Sequence, residues 1–305
     1  MVEEKHILVS ARETPSSGSR FSKAFREVAP RVSVGAVAID TYSQDMLVLE
    51  AIDHALHGAG TRQIITVNAQ FYVLAQRSDK FRECLRVADY VCADGMPVVW
   101  ACHFFTKRYI PRITGLDLID KLCQRGAAHK LRVFFLGGRP DAANETGRIL
   151  SERYPGLEIA GASCPPWGFQ LNPETLQPVL DQIAQSNAHL LFVGLGCPKQ
   201  ELLIHDHIRS LKVPLAIGIG GGFEIFSGLF DRAPKWMQHC GLEWAFRLYQ
   251  EPRRLWKRYL FGNLEFLWFL VTWRLRERLQ INSTSSCIPD HLRPAPPSAT
   301  PTEMQ

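Results

Sequence analysis

The strongest constraint on the fold is a repeated unit: a short apolar run that stops abruptly at glycine or a small polar residue, followed by a helix-length stretch. Residues 64–97 set the pattern. Ile64-Ile65-Thr66-Val67 leads into Asn68, and Tyr90-Val91-Cys92-Ala93 leads into Asp94-Gly95. Further on, Val133-Phe134-Phe135-Leu136 closes on Gly137-Gly138, and Leu190-Leu191-Phe192-Val193 on Gly194-Leu195-Gly196. Leu215-Ala216-Ile217 closes on Gly218-Ile219-Gly220-Gly221-Gly222. Short apolar runs without polar alternation, spaced by helical stretches, predict an α/β fold with a mostly parallel sheet covered by helices on both faces.

Between these runs the periodicity predicts helices over residues 45–56, 95–105, 116–126, 141–154 and 174–185, with another starting near Pro198. Residues 32–37 read as one weak strand and 157–160 as a short one. After Pro234 the strand pattern stops and a helical pattern runs to about Gln280. Four segments follow: a flexible leader at 1–30, an α/β core at 31–245, a basic and aromatic helical appendage at 246–280, and a disordered tail at 281–305. The tail carries five prolines and few large apolar residues, so it has little to bury.

In an open parallel sheet, ligands bind at the carboxyl ends of the strands. Thr66, Asn68 and Asp94 therefore become candidates to face one cleft. A plainer reading stays open beside it: Asn68 caps the next helix and Asp94-Gly95 is a helix-start turn. The glycines at 137, 138, 194, 196, 220 and 221 would let a phosphate or sugar approach the backbone. They would equally serve turns that need positive φ. No GxGxxG and no GxxxxGK[ST] occurs, which disfavours a nicotinamide dinucleotide and excludes a P-loop. Lys199, Gln200 and Glu201, just after Pro198, put charge and amide donors where a strand meets a helix.

Composition removes other classes. The eight cysteines are scattered with no CxxC, several within apolar runs, and read as buried thiols in a reducing compartment. The ten histidines show no ligand spacing and no DxD occurs, so no metal and no cofactor are expected. The first thirty residues lack the apolar core of a signal peptide, which points to cytoplasmic residence. Residues 247–278 hold eight Arg or Lys against three Glu, a surplus equal to the whole chain's net charge of +5. An anionic partner would meet this segment; no nucleic-acid partner is expected. Its apolar stretch from Leu264 to Trp273 is shorter than the roughly 20 residues a bilayer needs. Trp, Phe and Leu beside Arg suit a helix lying in a membrane interface, and equally a helix packed on the core or in an oligomer interface. Formation of a homo-oligomer is left open.

The ordered motifs resemble one family. Thr66-Val67-Asn68, Asp94-Gly95, Arg112-Ile113-Thr114-Gly115, Gly194-Leu195-Gly196, Pro198-Lys199-Gln200-Glu201, Gly220-Gly221, Arg232-Ala233-Pro234, Glu243-Trp244, Arg247-Leu248 and Glu251-Pro252-Arg253-Arg254 occur in sequence. Together they are similar to the WecG/TagA/CpsF group of bacterial glycosyltransferases (glycosyltransferase family 26), over roughly residues 33–279. The resemblance implies a Rossmann-like core and inverting transfer of N-acetylmannosamine, its uronic acid or a hexose. The donor would be a UDP-sugar, and the acceptor a polyprenyl-diphosphate-linked saccharide at the inner face of the cell membrane. It also implies Asp94 as general base, with Thr66, Asn68, Arg112 and Gln200 as pocket residues. Arg247, Arg254 and Lys257 or Arg258 would stand near the diphosphate. Two competing classes are a soluble nucleotide-sugar-modifying enzyme such as an epimerase, and a non-catalytic polysaccharide assembly factor.

Overall fold

The computed structural model describes residues 31–285. The expected leader, 1–30, and residues 286–305 of the expected tail lie outside the described residues. The chain opens with an antiparallel pair, β1 (Val32–Val34) and β2 (Val37–Ile39). A single strand over 32–37 is thus corrected: Gly35 takes a φ of 61° and folds the run back on itself, a conformation open to glycine because it has no Cβ.

Next come α1 (Gln44–His57), β3 (Arg62–Val67), α2 (Ala69–Arg77), α3 (Asp79–Val87), β4 (Tyr90–Ala93), α4 (Met96–Thr106) and α5 (Gly115–Ala127). The rhythm continues with β5 (Arg132–Gly137), α6 (Ala142–Arg153), β6 (Glu158–Ser163), a 3-10 turn at Phe169–Leu171, α7 (Pro173–Gln185), β7 (Leu190–Gly194), α8 (Lys199–His207), β8 (Leu215–Gly218) and α9 (Gly222–Phe226). Three helices close the chain: α10 (Lys235–His239), α11 (Glu243–Gln250) and α12 (Pro252–Ser285). Helix starts are fixed locally. Ser43, Asn68, Ser78, Thr114 and Asn172 each accept a hydrogen bond from a backbone N–H of the first turn, satisfying donors the helix itself cannot.

Strands β3 to β8 form one parallel sheet in the order β4-β3-β8-β7-β5-β6. The expected α/β, Rossmann-like architecture holds. Strand pairing also levels the carboxyl ends. Val67 lies opposite Ala93, Val193 opposite Gly218, and Gly137 opposite Gly194. The polar and glycine residues that end each strand therefore gather along one sheet edge.

Alternation sends side chains to both faces of the sheet, into three core clusters. Ile64, Tyr90, Cys92, Phe135, Phe192 and Ile217 pack with α1, α5 and α6. On the other face, Ile65, Val67 and Val91 pack with α2, α3 and α4, while Phe134, Leu191 and Ala216 pack with α7 and α8. Burial on both faces explains why the strands read as continuous apolar runs.

The C-terminal helix α12 is one unbroken rod that continues to Ser285, so residues 281–285 of the expected disordered tail are helical. Phe266 and Leu270 are buried against α2, with the Phe266 ring 5.0 Å from Tyr72. Trp273 meets Phe105 of α4 edge-on at 5.2 Å. The opposite side leaves Leu260, Leu264, Leu267, Trp268 and Val271 exposed. The reading of a helix packed on the core holds along one stripe, and another stripe of the same helix is apolar toward solvent. No helix among the described residues is long and apolar enough to cross a membrane.

Candidate active site

Two hollows meet at Asp94. The larger, of ≈ 480 Å³, runs over the glycine turns of β5, β7 and β8 and reaches Arg247, Arg254 and Arg258. The smaller lies toward α4 and α5, between Gly95, Thr114, Glu243, Trp244 and Tyr259. Asn68, Asp94, Arg247 and Arg258 line both. A concave site of a few hundred Å³ with convergent polar groups suits a small ligand.

Asp94 follows β4 directly, and its N–H donates to Val67 O at 2.8 Å. Its carbonyl accepts from Arg112 Nε at 2.9 Å. Arg112 also donates to Gln238 O at 2.9 Å and to the Glu243 carboxylate. Arg232 extends the network by bridging Asp117 and Glu243. None of these bonds engages the Asp94 carboxylate, which has no hydrogen-bond partner among the described residues. Burial pushes that carboxyl up to about 7; Arg112 and Arg247 pull it down, and Glu243 and Asp117 push it further up. A carboxylate poised near neutrality is suited to taking a proton in a reaction.

Asn68 serves in both of its sequence-derived roles. Its Oδ1 accepts from Gln70 N at 3.0 Å and so caps α2, while the residue also lines both hollows. Thr66, at the end of β3, is buried in the wall of the larger cleft. Gln200 ties two glycine turns together: Oε1 accepts from Gly196 N at 3.1 Å and Gly220 N at 2.9 Å. With that side chain held in place, a Cβ on Gly218 would come 2.6 Å from Gln200 Nε2. Gly196 and Gly220 have φ of 76° and 56° and open space where a Cβ would stand. Their missing side chains leave room for a ligand. Arg247 donates to Gly221 O at 3.1 Å, which sets a cation beside that turn.

Not every candidate reaches the cleft. Gly137 pairs with Gly194 inside the sheet and has no surface on either hollow; Gly138, Gly194 and Gly221 do line the larger one. Lys199 turns outward, its Nζ lying 4.3 Å from the Trp167 ring centre. Glu201 is buried beneath the site, bonded to Gln200 Nε2 at 2.6 Å, and burial pushes its carboxyl up to about 7. Lys257 sits over the Trp256 ring, away from both hollows. Of the pair Lys257 and Arg258, the structure brings only Arg258 to the cleft. Conversely, Glu243, Trp244, Tyr259, Asn263 and Arg139 line the site without having been singled out as site residues. Glu243-Trp244 stood among the ordered motifs, but its role depends on α11 folding back across Arg112.

A parallel α/β sheet with a carboxylate free of hydrogen bonds between a glycine-lined cleft, rimmed by arginines, and a second polar pocket has the layout of a group-transfer enzyme. The chain belongs to the Glycosyl transferase WecG/TagA/CpsF family, whose model matches residues 32–280. It is a glycosyltransferase, as the ordered motifs implied. Over 197 residues it is 35% identical to the N-acetylglucosaminyldiphosphoundecaprenol N-acetyl-beta-D-mannosaminyltransferase of Bacillus spizizenii, covering 65% of this chain and 74% of that protein. The same figures hold for the protein of that name from Bacillus subtilis. Among the described residues no three of His, Cys, Asp and Glu gather as metal ligands.

Proposed function

We propose that this glycosyltransferase moves N-acetylmannosamine from its UDP-activated form to an N-acetylglucosaminyl-diphosphopolyprenol, with inversion, in the assembly of a cell-surface polysaccharide. The observation that carries the reading is the unpaired Asp94 carboxylate, raised to about 7, where the two hollows join. The glycine-lined cleft suits the nucleotide diphosphate, and the pocket toward α4 suits the acceptor sugar. In the reaction, an acceptor hydroxyl oxygen bonds to C1 of the donor sugar as the bond from C1 to the diphosphate oxygen breaks. The hydroxyl proton passes to Asp94. Arg247, Arg254 and Arg258 neutralise the charge that grows on the departing UDP, arginine being suited to bidentate phosphate contact. The names of the two relatives support the choice of sugar and acceptor.

In this reading residues 31–245 act as the transferase core and 246–280 as an appendage that completes the diphosphate site. That boundary falls within α11, which begins at Glu243. The exposed apolar stripe of α12 and the basic residues beside it support peripheral attachment to the cytoplasmic face of the membrane. The test is to incubate the purified chain with UDP-N-acetylmannosamine and an N-acetylglucosaminyl-diphosphoprenol and to look for the disaccharide product by mass spectrometry. Release of free sugar from the donor without any disaccharide would reject the reading.

A further inference from the structure

A groove of ≈ 740 Å³ lies between α4 and α12, beside the active site. Trp100, Phe104, Leu267, Leu270, Val271 and Leu275 give it a hydrocarbon wall. Trp100, Phe104 and Leu267 are 56%, 66% and 57% exposed. A contiguous apolar surface of this kind marks a place where something apolar binds.

Its position says what. Pro97, Trp244 and Asn263 line both this groove and the pocket beside Asp94, so the two are continuous. Arg258 and Tyr259 stand on the pocket side of that junction. Asp94 and Arg258, the latter shared with the larger hollow, line the pocket, and the hydrocarbon wall lies past Pro97, Trp244 and Asn263. From Asn263 to Leu275 the groove follows α12 for about 18 Å, at the rise of an α-helix. A prenyl-diphosphate sugar likewise carries its hydroxyls and diphosphate toward one end and its isoprenoid chain at the other.

We propose that this groove is a binding subsite for the first isoprene units of the acceptor, held by protein side chains as well as by any bilayer. The proposal rests on the transfer reaction given above and adds a selectivity to it: the enzyme reads the lipid portion of its acceptor directly.

The test uses the full chain without membranes or detergent. Acceptors are N-acetylglucosaminyl diphosphates of geraniol, farnesol and geranylgeraniol, below their micelle concentrations. KM for the acceptor should fall by at least about 10-fold along the series, given what burial of each added methylene contributes. KM for the UDP-sugar should not change. Leu267→Glu and Val271→Glu, each checked for native circular dichroism, should flatten the dependence on chain length. Trp268→Glu should keep it, because Trp268 faces away from this groove, toward Arg77 and Phe269. Calorimetry with the corresponding sugar-free prenyl diphosphates reads the groove even if no sugar is transferred. That separates failure of the transferase reading from failure of the subsite. Equal affinity across the series in the unmodified chain would overturn the proposal. So would equal behaviour of Leu267→Glu and Trp268→Glu, or an effect of the groove variants confined to vesicle binding, which would mean bilayer contact only.

Discussion

Arg112 grips Asp94 by its main chain, donating from Nε to the Asp94 carbonyl at 2.9 Å, and leaves the carboxylate without a hydrogen bond. The two functions of a neighbouring cation are thereby separated. Position is fixed by the backbone bond, while the carboxylate stays basic because no short contact holds it in its ionised form. Arg112 is itself fixed by Gln238 O and the Glu243 carboxylate, so the placement of Asp94 is tied to α10 and α11.

Replacing Asp94 by Asn removes the proton acceptor and keeps the shape. Transfer should fall on the order of 10²–10⁴-fold in kcat. Affinity for UDP, measured by calorimetry, should stay within a few-fold, since the proposed nucleotide cleft lies over the glycine turns. Retention of full transfer would remove Asp94 from the role of base.

The raised carboxyl sets a pH profile. As the proposed base, Asp94 would act when ionised, so kcat/KM should rise with pH and level off above about 7. Glu243→Gln removes a negative neighbour and should move this limb to lower pH; Arg247→Gln removes a positive one and should move it higher. Stability runs the other way. A carboxyl raised from 3.8 in the unfolded chain to about 7 in the fold favours the folded state fully below the unfolded value. That contribution is lost as pH rises through about 7. Asp94→Asn should therefore raise Tm at pH 8 relative to the unmodified chain, and less so at pH 4.

Two glycines should separate folding from binding. A Cβ at Gly138, with φ of 83°, would meet Phe223 at 3.0 Å, whereas at Gly220, with φ of 56°, it would meet nothing within 4 Å. Gly220→Ala should cost about 1 kcal/mol, the left-handed penalty alone, yet raise the donor KM because its methyl enters the cleft. Gly138→Ala should cost more in urea unfolding. Equal stability losses with an unchanged donor KM would contradict this division.

Attachment to anionic vesicles should depend on both the apolar stripe and the charge of α12. A Leu264→Glu, Trp268→Glu double variant should cosediment markedly less, since both side chains are exposed. Raising salt should weaken binding by the unmodified chain, because charges are screened over about 8–10 Å at physiological strength. Salt-independent cosedimentation would argue against the electrostatic share.

What could be read before folding was the sheet and its edge. Runs such as residues 190–193 are apolar throughout because both faces are buried, and the glycines after them mark the turns. Strand order was not legible, because β4 and β8 flank β3 through crossovers that leave no local trace. Lys199, Glu201 and Lys257 stand off the two hollows for one reason. Each adjoins a residue that does reach the site, Gln200 or Arg258, and consecutive helical positions point in different directions. Glu243 and Tyr259 needed the return of the C-terminal helices across the sheet edge, a contact made far along the chain from Asp94 and Arg112.

Because α12 is unbroken from Pro252 to Ser285, Arg254 and Arg258 are not free to settle independently around a phosphate. Phe266, packed against Tyr72, stands about 12 Å from Arg258 and about 18 Å from Arg254 along the same rod. The span is held at both ends, by Leu255, which is buried beside Arg254, and by Phe266 against α2. A glycine pair inserted between Arg258 and Phe266 should therefore shift the arginines relative to the exposed apolar stripe of the same helix, and a loss of the proposed transfer with vesicle binding unchanged would show that their fixed spacing matters.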